Sequence, residues 1–308
     1  MTLQQLEYVM AVYRCRHFAK AADYCNITQP TLSSMIQKLE EELGVKIFDR
    51  SKQPIKPTAE GMLIIERAWN ILVRAKQLKE VVEEERHSLS GTFHVAVLPT
   101  IAPYLIPLFL PQLMNEYPEL DIRVTEMKTE DIHKALKHGD IDAGIVAQVE
   151  GQEGFYSEHL YFEKFFVYVS KGDALFNNKA IRTVDLTGEY LWLLDEGHCF
   201  REQLVKFCHL KSAAKSKKAY NLGSIETFMR IVESGKGVTF IPELALEQLT
   251  EVEKELVRSF AHPIPTRDII MLTQKNFLRT SLRQLIIDKI RAAVPADMLQ
   301  MNKMQQAL

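Results

Sequence analysis

At 308 residues the chain is too long for one ordinary hydrophobic core and calls for two or three domains. Hydrophobic residues at 46% and charged residues at 25% describe a soluble globular protein, not a disordered or fibrous one. A formal net charge of -2 gives no general attraction to nucleic acid, so any DNA-binding surface must be local, with acidic residues elsewhere. The opening MTLQQLEYVM lacks a basic stretch followed by an apolar one, and the longest apolar run, IAPYLIPLFLP, carries three prolines. The chain is therefore expected in the cytoplasm, with no membrane span. There its four cysteines stay reduced, and a disulfide would be transient and regulatory.

Leu3, Leu6, Met10 and Tyr13 recur at helical spacing. Phe18, Ala22 and Cys25 form a shorter stripe, which Asn26 is suited to end because it tolerates the left-handed conformation. Leu32, Ile36, Leu39 and Leu43 form a third, with Thr28 as cap, Pro30 near the start and Gly44 closing it. Two helices joined tightly, the second well capped, predict a helix-turn-helix. The opposite face of the third helix carries Thr31, Ser33, Ser34, Gln37 and Lys38, which can bond to bases or phosphates. Glu40, Glu41 and Glu42 are confined to its C-terminal half, away from the N-terminal residues that read bases. On helix geometry alone, a solvated polar face fits equally well.

Next comes VKIFDRSKQPIKPTAEG, which Lys46, Arg50, Lys52 and Lys56 make locally basic, suiting either a hairpin or wing that contacts phosphate or a solvated loop. From Ala59 to about Ser88 the pattern is one long helix. Ile64, Ala68, Ile71, Ala75, Leu78 and Val82 alternate four and three residues apart, a heptad seam that either packs on the chain's own core or, as the length and charged end favour, pairs with a second chain. From Gly91 onward the strand-like runs TFHVAVLP, LDIRVTEM, DAGIVA, FFVYVS, KAYNL, GVTFI and DIIMLT alternate with helical ones, which predicts an α/β sheet architecture. Ligands in such sheets bind beyond the carboxyl ends of strands, near helix N-termini. Thr100, Thr129 and Ser224 stand at strand-to-helix junctions, where a hydroxyl serves either a ligand or a helix cap.

The segment FAKAADYCNITQPTLSSMIQKLEEELGVKIFDR, followed by PTAEG, resembles the LysR-type regulators, and the similarity runs across nearly the whole chain. It implies an N-terminal all-α winged helix-turn-helix at 1–58 and a dimerising linker helix at 59–90. It further implies a two-lobed α/β regulatory domain at 91–308, similar to type 2 periplasmic binding proteins. Lobe I would comprise 91–161 and 268–308, and lobe II 162–267. The same resemblance implies double-stranded promoter DNA and RNA polymerase as partners, and a homodimer that becomes a homotetramer on DNA. Gln29, Thr31, Ser33 and Ser34 are the implied DNA contacts, joined by Lys38 on the same helix and by Arg50 and Lys56 on the wing. Ile64, Ile71 and Leu78 mark the dimer seam.

Within lobe II lies GHCFREQLVKFC, where Phe200, Leu204 and Phe207 predict a helix after Cys199. Nine residues of helix span roughly 13 Å, whereas a disulfide needs Cα atoms within about 7 Å. Joining Cys199 to Cys208 would therefore unwind that helix. A helix N-terminus and the nearby Arg201 would favour a Cys199 thiolate. Two cysteines in an apolar segment are also ordinary small hydrophobes. The segment is similar, in residue types and cysteine spacing, to that of the hydrogen-peroxide-sensing branch of the LysR family. That similarity implies Cys199 as the peroxidatic thiol and Cys208 as the resolving one, with Thr100, Thr129, His198 and Arg267 around the peroxide. It also implies thioredoxin or glutaredoxin as reductant.

Cys15 and Cys25 are expected to be packing residues. No metal or other cofactor is expected, because the remaining histidines lack ligand spacing. The competing readings are a LysR-type regulator that binds a small effector between its lobes and a thiol peroxidase. An enzyme has no use for the helix-turn-helix, and a periplasmic transport protein would need a signal peptide.

Overall fold

A computed structural model describes residues 1–85, 89–186, 191–194, 199–208 and 224–308, and the chain divides into two units, Met1–Arg86 and His87–Leu308. The expected strand KAYNL and His198 lie outside the described residues.

In the first unit, helix α1 (Leu3–Cys15) starts on a reciprocal cap between Thr2 and Gln5 and ends at Arg16 in the left-handed conformation. Helix α2 (Phe18–Tyr24) is capped by His17, whose Nδ1 accepts from the amides of Ala19 and Lys20. Asn26 takes the positive φ that the sequence reserves for it, 54°. Helix α3 (Gln29–Leu43) starts at Thr28, which accepts from the Thr31 amide, and closes on left-handed Gly44. The short strands β1 (Phe48–Asp49) and β2 (Lys56–Pro57) pair antiparallel as the wing. The long helix α4 (Ala59–Glu85) follows. The Thr58 hydroxyl accepts from the Gly61 amide and donates to the Lys46 carbonyl, which ties the start of α4 to the wing.

The core of this unit unites Leu6, Val9, Val12, Ala22, Leu32, Ile36, Leu39 and Phe48 with Ile65, Ala68 and Trp69 of α4. Two residues of the expected stripes lie outside it: Leu3 and Leu43 are exposed, because the end turns of α1 and α3 reach past the packed centre. Cys15 and Cys25 are half-buried and pack against this core. Gly61 admits no side chain, since a Cβ there would lie 2.0 Å from the Ile47 carbonyl oxygen. That contact explains the glycine of PTAEG.

The second unit is a two-lobed α/β domain. Strands β3 (Gly91–Val97), β4 (Leu120–Glu126) and β5 (Ala143–Ala147) run parallel, with β3 in the middle. Helix α5 (Ala102–Glu116) links β3 to β4, and α6 (Thr129–Lys137) links β4 to β5. Strand β6 (Phe155–Val169) spans both lobes at roughly 50 Å. Beyond it come β7 (Ala180–Ile181), α7 (Cys199–Phe207), α8 (Ile225–Glu233), β8 (Val238–Pro242), α9 (Glu251–Lys254) and β9 (Val257–Phe260). Strand β10 (Ile264–Gln274) then returns to the first lobe, followed by α10 (Thr280–Ala293) and β11 (Gln305–Ala307). The first part of β6 pairs antiparallel with β10, and its Phe165–Val169 end pairs with β8 and β9. The lobes are therefore joined through shared strands.

Helix α5 contains Pro107 and Pro111 in its interior. Pro107 cannot donate to the Pro103 carbonyl one turn back. Gln248 Nε2, from the other lobe, donates to that carbonyl instead at 3.0 Å.

Candidate functional site

Cys199 is the first residue of α7 and Cys208 follows its last, with the Cys208 amide bonded to the Leu204 carbonyl. The helix predicted between them is thus present, and it holds the two Cα atoms roughly 13 Å apart. Both thiols are free and buried, each at 5% exposure.

Beside Cys199 lies a buried ion pair. Arg267 of β10 and Glu163 of β6 sit directly opposite in the ladder, so their side chains share a face of the sheet. Arg267 is 0% exposed and Glu163 1%. Arg267 Nε donates to Glu163 Oε2 at 2.8 Å, and Nη2 approaches the same oxygen at 2.7 Å. Nη1 donates to the Thr100 hydroxyl and Nη2 to the Thr100 carbonyl, each at 3.0 Å. The guanidinium stands 5.6 Å from the centre of the Phe165 ring and 5.1 Å from that of Phe200. Glu163 Oε1 accepts from the Leu244 amide at 3.3 Å.

The helix N-terminus expected to favour a Cys199 thiolate acts through the Phe200 amide, joined by the charge of Arg267 and the Thr129 hydroxyl. Burial outweighs them, and the thiol is held above its ordinary pKa, not below it. The sequence reading missed this because it saw the helix terminus but not the depth of the site. Burial alone pushes Cys208 up to about 12. The cation that reaches Cys199 is Arg267 and not the neighbouring Arg201.

Thr100, Thr129 and Ser224 are not side-chain caps. Helices α5, α6 and α8 start at Ile101, Lys128 and Ser224 without a side-chain capping bond. The Thr100 hydroxyl serves Arg267 instead. The Thr129 hydroxyl is buried without a partner in hydrogen-bond geometry, although it lies close enough to Cys199 to favour the thiolate. Gln203, one turn after Cys199 and on the same side of α7, donates to the Gln148 carbonyl at 3.5 Å while its Oε1 is buried without a partner. Such orphaned atoms cost about 1–3 kcal/mol each unless a small polar molecule satisfies them. Glu163 and Gln203 were not singled out from the sequence. A lone acid inside the apolar run of β6 was the available signal for Glu163, but its partner is 104 residues away.

In the first unit Gln29, Thr31, Ser34, Lys38 and Lys56 are exposed and Ser33 is half-buried. Arg50 donates to the Ser33 hydroxyl at 2.8 Å and to Glu40 Oε2 at 3.4 Å, and it lies over the Phe18 ring. Glu40 is buried, and its Oε1 accepts from the amides of Ile47 and Phe48. Arg50 thereby braces α3 against the wing. On α4, Ile64 packs partly on the core, whereas Ile71 and Leu78 are exposed at 40% and 72%.

The chain matches the family model of the LysR substrate binding domain over residues 86–295. Residues 3–62 match that of the bacterial regulatory helix-turn-helix protein, lysR family. It is 32% identical over 292 residues to the DNA-binding transcriptional dual regulator OxyR of Escherichia coli, covering 95% of each chain. A crystal structure of OxyR from Porphyromonas gingivalis is 45% identical over 71% of this chain and 99% of its own, with a TM-score of 0.67. A full-length OxyR variant from Pseudomonas aeruginosa is 31% identical over 96% of this chain and 99% of its own, with a TM-score of 0.76.

Proposed function

Because the chain belongs to the LysR family of bacterial helix-turn-helix regulators, we propose that it senses hydrogen peroxide through a reversible Cys199–Cys208 disulfide and controls oxidative-stress genes. One observation carries this reading. Two buried, free thiols stand at opposite ends of one helix, the first beside a buried cation and orphaned polar atoms.

In the first step the Cys199 thiolate attacks one oxygen of hydrogen peroxide. An S–O bond forms, the O–O bond breaks, and hydroxide leaves and is protonated to water. Thr129 and Gln203 would hold the peroxide, with Arg267 and Thr100 facing the departing oxygen; His198, which the family resemblance adds, lies outside the described residues. In the second step Cys208 attacks the Cys199 sulfur, an S–S bond forms and a second water leaves. Two thiols and one peroxide thus give one disulfide and two waters. Helix α7 must unwind for the sulfurs to meet, and that couples the chemistry to shape. Thioredoxin or glutaredoxin returns the thiols.

The exposed polar side chains of α3 and the wing would read promoter DNA, and the regulator would act on RNA polymerase in the cytoplasm. Ile64, Ile71 and Leu78 would form the dimer seam, within a homotetramer on DNA.

The test is a thiol count on reduced protein after one equivalent of hydrogen peroxide, with mass mapping of the linked peptides. Loss of two thiols into a Cys199–Cys208 link is expected, and Cys199→Ser is expected to abolish it while DNA binding persists. Slow, unselective oxidation would leave a regulator that responds to a small effector between its lobes.

A further inference from the structure

The reading of Cys199 as the sensing thiol leaves the buried carboxylate of Glu163 without a part in the chemistry. Its contacts assign it one. Both oxygens act as acceptors, Oε2 towards Arg267 and Oε1 towards the Leu244 amide, which is the bonding of an ionised carboxylate. Burial pushes this acid up, and the guanidinium against it pulls the other way. Arg267 is the cation acting on Cys199, and Glu163 is its closest anion, at 2.7 Å. A guanidinium already matched by a carboxylate pulls on a further anion less than a bare one does.

We infer that Glu163 is a positioning residue that acts on the Cys199 thiol through Arg267. It anchors the guanidinium against Thr100 and competes with the thiolate as its counter-ion, so that the resting thiol is kept protonated. This rests on the proposed sensing role of Cys199. Glu243 opposes ionisation of Glu163, and other titratable groups face the pair from neighbouring elements. Tyr104 of α5 donates to Glu226 of α8 at 2.7 Å and feels both Glu163 and Arg267. Tyr161, also on β6, feels the same two groups. Glu202, on the helix of Cys199, opposes the thiolate. None of these bonds to the guanidinium, whereas Glu163 does. Its neighbour Lys164 is turned to Glu243 and Asp297 instead.

The experiment uses the full chain with Cys15, Cys25 and Cys208 changed to Ser, so that Cys199 alone reacts with iodoacetamide across a pH series. Glu163→Gln keeps the shape and Thr100 keeps its hold on Arg267, while the competing charge is gone. The alkylation midpoint is expected to fall by about one pH unit, a tenfold larger thiolate fraction at neutral pH. The peroxide reaction at neutral pH then rises by roughly threefold, because a less basic thiolate is a weaker nucleophile. Glu163→Asp is expected to restore the original midpoint. A midpoint that stays or rises in folded Glu163→Gln would overturn the inference and leave Glu163 a purely structural partner. If Glu163→Gln does not fold, Arg267→Met is compared with Arg267→Met/Glu163→Gln. Equal midpoints support action through Arg267, because without the guanidinium Glu163 has no route to the thiol, and a lower midpoint in the double variant overturns it by showing that Glu163 acts on the thiol directly. Alkylation uses no peroxide, so a parent protein that alkylates normally yet ignores peroxide would sink the sensing role alone.

Discussion

Cys199 carries opposing influences. Arg267, Thr129 and the Phe200 amide favour the thiolate, and burial, the largest cause, favours the thiol, so the folded pKa lies above the ordinary value of 9.0. The sign of the pH dependence follows. Below that pKa the thiolate is a minority that grows tenfold for each pH unit. In the Cys208→Ser variant, the Cys199 reaction with peroxide is expected to accelerate about tenfold per unit from roughly pH 6 to roughly pH 8.5. Stopped-flow mixing checks this, and a rate already level near neutral pH would contradict it. Cys208 is pushed up to about 12 by burial alone, and no cation among the described residues offsets it. It becomes a competent nucleophile only when its burial is relieved.

That relief belongs to the helix between the two cysteines. Helix α7 is nine residues long, short for an isolated helix, and is held by the buried Phe200 and Leu204. Closing the disulfide requires at least part of it to unwind. Lys206 is exposed on α7, so Lys206→Gly weakens the helix by about 1 kcal/mol without disturbing the core. Disulfide closure is expected to quicken by up to about fivefold, while the preceding sulfenic acid forms at an unchanged rate. Quenched-flow trapping of the two stages separates them, and closure at the parent rate would mean that unwinding does not limit the switch. Helix α5 shows the opposite device. A carbonyl orphaned by Pro107 is satisfied by Gln248 from the other lobe, so a local defect becomes a contact between lobes.

The chain carries two units, a helix-turn-helix unit and a regulatory unit, each with its own core. Leu78 and Ile71 expose apolar surface on one stripe of α4, whereas Ile65, Ala68 and Trp69 turn inward. If the exposed stripe is a dimer seam, Leu78→Asp should shift sedimentation towards the monomer and weaken DNA binding, with the thermal unfolding of the sensing unit unchanged. A dimer of undiminished strength would remove α4 from that role. The residues after Pro295 carry β11. Here β11 adds a parallel strand to β10 at Ile264–Thr266, immediately before Arg267. The sequence by itself determined what depends on neighbours along the chain. Thr28 and Gly44 bound α3, Asn26 turns the chain, the alternation after Gly91 makes an α/β domain, and Phe200 and Leu204 make Cys199 the start of a helix. Only the tertiary structure decided what depends on distant segments meeting. The pairing of Glu163 with Arg267, the bonds of that guanidinium to Thr100, the closeness of Thr129 to the Cys199 thiol, and the 2.0 Å clash that reserves position 61 for glycine all join residues well separated in the chain. The raised pKa of Cys199 is of the same kind. Desolvation is a property of everything packed around a group, and no local pattern of residues encodes it.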